Sequence, residues 1–284
     1  MAAILTPPLK HSFPYRLAAI DIDGTLLGPG SHLSADNIAA VTRLQRLGTR
    51  VILASGRRHE NILGFHQQLN LEGPIISSQG AQVKIAETAR IIHEHCMPAA
   101  LAAEVVAEGS ARGMTLIYYR SDGIYICGHN SHTDMYHSRG RDALITHGPL
   151  ETLAGDTPLK IIWVNTPERM TAISAEIGLR YRGRLDTVIT FPEYLEFIAL
   201  GVSKAAGLEA VASYYGIDRT EIMAFGDGNN DISMLEWAGL GVAMSESTPG
   251  AKNAAAMVAP AGDPGTSLAR AVDEIIENAA ACQR

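Results

Sequence analysis

Short apolar runs alternate with amphipathic stretches in the first and last thirds of the chain. The runs have the length of strands buried on both faces, and they lie at 16–20, 50–54, 75–78, 221–225 and 239–244, with a possible last strand at 257–259. Apolar residues recur with helical spacing between them, predicting helices at 34–47, 58–69, 203–215, 232–237 and 267–281. Strands that alternate with helices predict an α/β fold with a parallel sheet.

The middle of the chain has a different pattern, with paired half-apolar runs and few helices. It predicts strands at 82–85, 90–92, 114–119, 123–127, 159–164, 185–191 and 194–200, with helices at 98–112 and 168–180. This portion is therefore predicted to be an α+β insert with an antiparallel sheet. We expect an N-terminal extension at 1–15, a core domain at 16–81 and 192–284, and the inserted domain at 82–191.

Acidic residues follow two of the predicted core strands. Asp21 and Asp23 come at the end of the first, and Asp227 and Asp231 follow the strand at 221–225. Ligands of open parallel sheets bind at the carboxyl ends of the strands. Asp21 and Asp23 share a strand face, and two such carboxylates repel each other unless a cation such as Mg²⁺ intervenes. The alternative is an ordinary acidic exit turn in each place, in which Asn230 and Asp231 only cap the next helix.

A second group of residues is suited to an anion. Ser55, Gly56 and Arg57 end the second strand where a helix begins, so a hydroxyl, backbone N–H groups and a positive helix end converge. Lys204 lies in the first turn of a helix, where its charge opposes the helix dipole and an anion would favour it. The alternatives are a plain strand-to-helix turn and a solvated lysine.

Composition narrows the classes of partner. The 284 residues carry a formal net charge of −7, which argues against a nucleic-acid partner held by electrostatics. The first 15 residues contain neither a signal peptide nor an apolar run that could span a membrane, and the three cysteines lie far apart. We therefore expect a cytoplasmic protein with no membrane partner and no disulfide framework.

The two groups together predict displacement at phosphorus. A carboxylate pair that binds a metal would lie beside an anion cradle, which is suited to phosphoryl transfer. Asp21 would attack phosphorus as the nucleophile and form an aspartyl-phosphate. Asp23 would protonate the leaving oxygen and later deprotonate the hydrolytic water.

These motifs resemble those of the haloacid dehalogenase (HAD) superfamily, in particular its Cof-like group with a type IIB (C2) cap. Residues 21–25, 55–57, 204 and 226–231 match motifs I to IV, in the family's order and with the insert between motifs II and III. The resemblance spans about residues 16–281. It implies a Rossmann-like HAD core and an inserted cap domain.

The resemblance also implies roles for single residues. Mg²⁺ would be bound by the carboxylates of Asp21 and Asp227 and the backbone carbonyl of Asp23. The phosphoryl group would be bound by residues of motifs I to IV, namely Gly24, Thr25, Ser55, Gly56, Arg57, Lys204 and Asn230. Asn230 and Asp231 would support the metal site without binding the ion directly, by contacting its ligands or its bound waters. Thr25 would orient Asp23.

Three features remain outside the motifs. Gln79-Gly80-Ala81 replaces the Asn-Gly-Ala that is frequent in the group, and Ser245-Glu246-Ser247 replaces Gly-Asn-Ala; we expect both at the rim of the site. A loop at 128–141 is rich in His and Arg and would line the entrance, or else is merely solvated. Two groups of His and Cys residues also lack the spacing of a four-ligand zinc site, namely Cys127, His129 and His132, and His93, His95 and Cys96.

The sequence thus predicts a Mg²⁺-dependent phosphatase that hydrolyses small phosphate monoesters. Sugar phosphates are the leading candidates, followed by phosphorylated cofactors. A phosphomutase would share the same core, and a phosphometabolite sensor without catalysis is the alternative from another class. The oligomeric state cannot be inferred from the sequence.

Overall fold

The protein is an α/β molecule built on three sheets. The computed structural model describes residues 13–127, 130–134, 145–149, 153 and 155–282. The strands of these residues are β1 (Leu17–Ile20), β2 (Arg50–Leu53), β3 (Pro74–Ser77), β4 (Gln82–Ile85), β5 (Ile91–Glu94), β6 (Thr115–Tyr119), β7 (Ile124–Ile126), β8 (Ile145–His147), β9 (Lys160–Val164), β10 (Leu185–Phe191), β11 (Tyr194–Ala199), β12 (Ile222–Gly226), β13 (Leu240–Ala243) and β14 (Met257–Val258). The helices are α1 (Ala35–Arg46), α2 (His59–Gln68), α3 (Ala99–Ala111), α4 (Pro167–Tyr181), α5 (Lys204–Tyr215), α6 (Ile232–Trp237), α7 (Pro249–Ala254) and α8 (Ser267–Cys282).

The first sheet is parallel and has the strand order β14-β13-β12-β1-β2. Its interior strand β1 is buried on both faces: Ala18 and Ile20 belong to one apolar cluster, while Leu17 and Ala19 belong to another. This alternation explains the continuous apolar run in the sequence, because a strand with helices on both sides has no polar face. The predicted α/β class with a parallel-sheet core is confirmed.

The helices of this unit begin and end where their polar residues predict. The Ser34 side chain accepts a hydrogen bond from the backbone N–H of Asn37 at the start of α1, and Ser203 does the same for Ala206 at the start of α5. Gly216 ends α5 in the left-handed conformation, with φ of 62°. Ser203 thus sets the position at which Lys204 begins the helix.

The second sheet has six strands in the order β10-β11-β9-β6-β7-β8, with all neighbours antiparallel except β7 and β8. Helices α3 and α4 pack on it, around a core that includes Trp163, Tyr181 and Phe197. We call this unit the cap and the parallel-sheet unit the core. The predicted α+β character is confirmed, while strand β8 was not predicted.

The third sheet, β3-β4-β5, adds to one prediction. We expected 75–78 to form a third strand of the parallel sheet. Strand β3 does run parallel to β2, which it joins through a single bridge between Ala54 and Ile76, while its other edge pairs antiparallel with β4. The hairpin β4–β5 also lies against α5, and Val83 packs with core residues.

The domain boundaries expected at residues 82 and 192 do not coincide with the sheets. The hairpin from Gln82 onward pairs with a core strand, and β11 lies inside the cap sheet. We propose that the cap spans 97–202, because apolar residues from Met97 to Val202 share one cluster. Most of the expected extension at 1–15 lies outside the described residues, although Phe13 is buried in the core.

Candidate active site

Asp21 follows the last residue of β1, at the carboxyl edge of the parallel sheet. Its backbone N–H continues the parallel ladder by donating to Phe225 O, and its carbonyl accepts from the N–H of Leu26, which turns the chain back. Asp21 is 4% exposed. Because β12 is the neighbouring strand, Asp227 follows it at the same edge of the sheet.

Lys204 forms ion pairs with both acidic strand ends. Its Nζ lies 2.5 Å from Oδ1 of Asp21 and 2.6 Å from Oδ1 of Asp231, and the side chain is fully buried. The other carboxylate oxygen of Asp231 accepts hydrogen bonds from the backbone N–H groups of Asp227 and Gly228. Asp21, Lys204, Asp227 and Asp231, which we call the floor of the site, are therefore held by charge-assisted hydrogen bonds.

The electrostatics of the floor favour a cation. Burial raises the pKa of Asp21 well above its ordinary value, and the Asp231 and Asp227 carboxylates add to the rise, while Lys204 opposes it. Burial and the Asp231 carboxylate likewise raise the pKa of Asp227 to about 6. Burial would lower the pKa of Lys204, but Asp21 and Asp231 raise it above its ordinary value. Three carboxylates against one ammonium leave the floor short of positive charge.

The donor set fits Mg²⁺. Asp21, Asp227 and Asp231 each offer a carboxylate oxygen, and these oxygens lie within 4.8 Å of one another. Hard divalent cations prefer such oxygen ligands. Gly24 leaves space beside the cluster, since a Cβ at that position would collide with the Asp227 carboxylate. The neighbouring Thr25 donates its hydroxyl to Oδ1 of Asp227 at 3.2 Å.

Asp23 is bound by Arg57. The guanidinium donates through Nε to Oδ2 of Asp23 at 2.8 Å and through Nη2 to Oδ1 at 2.5 Å, and the Arg57 charge also lies over the ring of Phe65. The Asp23 side chain is 46% exposed, in contrast to that of Asp21. From the resemblance we expected Thr25 to orient Asp23; the structure places Thr25 on Asp227 and Arg57 on Asp23.

The floor opens into a cavity of about 770 Å³. Ser55 and Gly56 line it beside Asp21, and the Ser55 hydroxyl oxygen accepts the backbone N–H of Arg57. Asn230 also lines it and donates through Nδ2 to Oε1 of Gln79 at 3.2 Å. The predicted anion cradle at 55–57 and the two acidic strand ends therefore face one cavity, while Lys204 is buried behind its lining.

The cap supplies the outer wall of this cavity. Lys160 Nζ lies 3.0 Å from both carboxylate oxygens of Glu196 and donates to the carbonyl of Gly56 in the core at 3.1 Å. Thr190 donates to the same carboxylate, and the Tyr119 ring lies 4.6 Å from the ammonium. We call these four cap residues the cap wall. Lys160 and Glu196 are 2% and 4% exposed.

Sequence reasoning missed the cap wall and underestimated Gln79. The available signal was one charged residue inside each of two apolar strands, Lys160 in β9 and Glu196 in β11. We expected Gln79 at the rim, whereas its side chain is 4% exposed and contacts Asn230. Most of the His- and Arg-rich loop, including His129, His137, Arg139 and Arg141, lies outside the described residues, and His132 is half-buried.

Comparison with known proteins decides the family. Residues 18–271 match the family model described as haloacid dehalogenase-like hydrolase. The chain belongs to this family. The resemblance inferred from the four motifs, to HAD proteins of the Cof type, is confirmed.

Relatives of this HAD-like hydrolase are named as phosphatases. The 5-amino-6-(5-phospho-D-ribitylamino)uracil phosphatase YitU of Bacillus subtilis is 28% identical over 85% of this chain and 90% of its own. An HMP-PP phosphatase of Serratia proteamaculans is 27% identical over 84% of this chain and 87% of its own.

Solved structures agree with the fold. A haloacid dehalogenase-like hydrolase from Bacteroides thetaiotaomicron has a TM-score of 0.81 at 25% identity, covering 92% of this chain and 99% of its own. A structure named as a sugar phosphatase of HAD subclass IIB has a TM-score of 0.79, also at 25% identity and with the same two coverages. Both likenesses extend over the cap as well as the core.

Within the part of the chain that the structure describes, none of the helices combines the length and apolar character needed to cross a bilayer. The cytoplasmic location and the absence of a nucleic-acid partner, both expected from composition, remain predictions.

Proposed function

We propose that this HAD-like hydrolase is a phosphatase that hydrolyses a phosphate monoester of a small metabolite. The observation that carries the proposal is the position of Asp21, whose carboxylate lies at the closed end of the cavity between Lys204 and the acidic cluster. An anion that enters past Ser55 and Gly56 would meet this carboxylate. The names of the two curated relatives support the same class of reaction.

Asp21 is proposed to attack phosphorus. An Asp21 oxygen forms a bond to phosphorus while the ester P–O bond breaks, and the leaving oxygen takes a proton from Asp23. Water then attacks the aspartyl-phosphate, Asp23 accepts its proton, and the Asp21 O–P bond breaks to release phosphate. Lys204 favours the ionised form of Asp21 and orients its carboxylate, because it shares its ammonium between Asp21 and Asp231.

Mg²⁺ is proposed as the cofactor, held by Asp21, Asp227 and the Asp23 carbonyl, with Asn230 and Asp231 in support. When bound, it would neutralise the excess negative charge of the floor and of the phosphoryl oxygens. The carboxylate of Asp231 already accepts from Lys204 and two backbone N–H groups, which agrees with a supporting role.

The cap wall is proposed to contact the part of the substrate beyond the phosphate. It combines an aromatic ring with a paired ammonium and carboxylate. Such a surface suits a leaving group with hydroxyl or ring-nitrogen groups, which includes both sugar phosphates and phosphorylated cofactors. The ribitylaminouracil phosphate and sugar phosphate substrates in the names of relatives fall in these two groups.

A substrate panel tests the proposal. Phosphate release from sugar phosphates, nucleotides and cofactor phosphates is measured with Mg²⁺ and with EDTA, for the wild type and Asp21→Asn. We expect Mg²⁺-dependent release that the variant abolishes. Binding of phosphate without turnover of any substrate would favour a sensor, and isomerised sugar phosphate without free phosphate would indicate a phosphomutase.

A further inference from the structure

Two consecutive residues beside the floor adopt a conformation that side chains rarely occupy. Ser78 has φ of 50° and Gln79 has φ of 62°, both in the left-handed region, and neither is glycine. Both are buried, with 1% and 4% exposed. Such a conformation costs free energy and persists only where surrounding contacts fix it, and it is found most often at functional sites.

The contacts that fix the turn come from the anion cradle. The backbone N–H of Ser78 donates to the carbonyl of Arg57 at 2.8 Å, and that of Gln79 donates to the carbonyl of Ser55 at 3.2 Å. The turn and the loop at 55–57 are therefore one rigid unit. The strained backbone directs the Gln79 side chain into the cavity rather than toward solvent.

The orientation of the Gln79 amide is also fixed. Its Oε1 accepts the hydrogen bond from Nδ2 of Asn230, so Nε2 is at the other end of the amide group. Nε2 lies against Gly56: a Cβ on that glycine would be 2.5 Å from Nε2. The close approach is possible only because Gly56 has no side chain. An amide N–H donor is thereby held at the wall of the cradle, between motifs II and IV.

The charges of the site explain why a neutral hydrogen-bond donor would help to bind phosphate. Four carboxylates, those of Asp21, Asp23, Asp227 and Asp231, lie in or beside the floor and repel an anion. The nearby cations are engaged by carboxylates, since Lys204 is shared by Asp21 and Asp231, Arg57 binds Asp23 and Lys160 of the cap wall is paired with Glu196. A neutral donor adds hydrogen-bonding capacity for a phosphoryl oxygen without drawing in another carboxylate.

We propose that Gln79 is a phosphate-binding residue of this enzyme, whose Nε2 donates a hydrogen bond to a phosphoryl oxygen while Asn230 orients the amide. The inference rests on the proposed function, because it assigns a further residue to the same phosphate site. A purely structural Gln79 would instead only connect Asn230 with the loop at 55–57, and its replacement would alter stability without altering phosphate binding.

Binding of inorganic phosphate in the presence of Mg²⁺, measured by titration calorimetry, tests the assignment without requiring turnover. Gln79→Glu keeps the shape and the acceptor for Asn230 but replaces the donor by a negative oxygen. We expect its Kd for phosphate to rise at least about tenfold, as expected for a lost hydrogen bond to a charged group. Gln79→Met, which removes the donor without adding charge, should raise the Kd about fivefold or more and serves if the glutamate variant does not fold.

The matched control is Gln67→Glu, which makes the same charge change on α2 at an exposed position outside the cavity lining. Its phosphate affinity should stay within twofold of the wild type. A folded Gln79 variant that also binds phosphate within twofold of the wild type, or a wild type that does not bind phosphate, would overturn the assignment. If the wild type binds phosphate in a Gln79-dependent way but hydrolyses nothing, the proposed function fails while the assignment stands.

Discussion

The floor and the cap wall face each other across one cavity, yet they are built in different ways. On the floor, Asp21, Asp227 and Asp231 come from strand ends and turns, and Lys204 begins a helix. In the cap wall, Lys160 and Glu196 lie in the middle of apolar strands, where each is compensated mainly by the other. The floor thus uses polar positions that any open parallel sheet exposes, whereas the cap wall requires a buried ion pair in a sheet.

This difference predicts which changes affect the chemistry and which affect the choice of substrate. Floor residues contact the reacting atoms in the proposed mechanism, so their loss should lower the rate for every substrate. Cap-wall residues contact only the leaving group in that proposal, so their loss should act unevenly across substrates.

Replacement of Lys204 should have the largest effect. Lys204→Met would leave Asp21 and Asp231 buried without their shared cation, and we expect kcat/KM to fall by about 10³-fold or more for all substrates. The variant should also unfold at a lower temperature, with Mg²⁺ restoring part of the loss by neutralising the same carboxylates. A loss below tenfold, in steady-state kinetics on a folded variant, would remove Lys204 from the proposed mechanism.

The buried pair of the cap wall should behave as one unit. Lys160→Met or Glu196→Leu alone leaves an unpaired buried charge and should lower the free energy of unfolding by about 3 kcal/mol, whereas the double variant should lose less than either. Denaturant unfolding of the four proteins measures this coupling. Effects that simply add would show that the two charges are stabilised separately.

Kinetics of the same variants tests the substrate side of the comparison. We expect the double variant to change the ranking of substrates in the panel while the Mg²⁺ dependence is retained. An equal fractional loss for every substrate would place the pair with the floor in function, and the division between floor and cap wall would fail.

Helix α2 gives the core a pH-dependent stability. Burial lowers the pKa of His59 to about 4; Glu60 opposes this shift, while Lys84, His66 and Arg58 add to it. The unfolded chain, with an ordinary histidine pKa near 6.5, binds the proton more tightly. The contribution of neutral His59 to the free energy of unfolding is therefore fully present above about pH 6.5. It is lost as the pH drops toward 4, which lowers the free energy of unfolding by about 2 kcal/mol.

Chemical unfolding at pH 7.5 and at pH 5 measures this loss, and His59→Gln should reduce it because glutamine does not titrate. His66, whose pKa burial also lowers, should account for part of what remains. An unchanged pH dependence in His59→Gln would show that His59 is protonated in the folded protein. Because α2 also lines the cavity, kcat/KM at pH 7.5 reports whether the variant disturbs the site.

Arg57 should have the smallest effect, and a selective one. If its guanidinium positions Asp23 as the proton donor, Arg57→Lys should lower kcat/KM about five- to tenfold for alkyl phosphates. It should change kcat/KM little for an aryl phosphate, whose leaving oxygen needs no proton. Equal losses for both esters would assign Arg57 to phosphate binding alone. Arg43→Lys, in an exposed ion pair with Asp273, is the control.

The sequence identified the floor but not all of its contacts. The strand-end positions of Asp21 and Asp227 could be predicted because each follows a four-residue apolar run that soon reaches a glycine, Gly24 in one case and Gly226 in the other. The partner of Arg57 could not be predicted, because either a bound anion or the Asp23 carboxylate could accept hydrogen bonds from its guanidinium. From the resemblance we expected Thr25 to contact Asp23. Its hydroxyl instead donates to Asp227, because the side-chain rotamers that decide this contact cannot be inferred from the sequence motif.

The cap wall and the strand pairing were harder to predict from the sequence. Lys160 and Glu196 are 36 residues apart, and only the register between β9 and β11 brings them together. Strand β3 was predicted beside the parallel sheet, where a parallel bridge joins it to β2, but its antiparallel pairing with β4 was not predicted, because an apolar run is the same for both kinds of pairing. The strain at Ser78 and Gln79 is likewise a result of tertiary contacts, since neither residue type favours the left-handed region.

A rapid-quench experiment tests whether the floor performs covalent chemistry through Asp21. Enzyme and its best substrate are mixed with Mg²⁺ and quenched in acid within one turnover, and the peptides are examined by mass spectrometry. We expect one added phosphoryl group on the peptide that contains Asp21, absent in Asp21→Asn. Rapid phosphate release with no phosphorylated peptide at any time, or with the group on another residue, would contradict it.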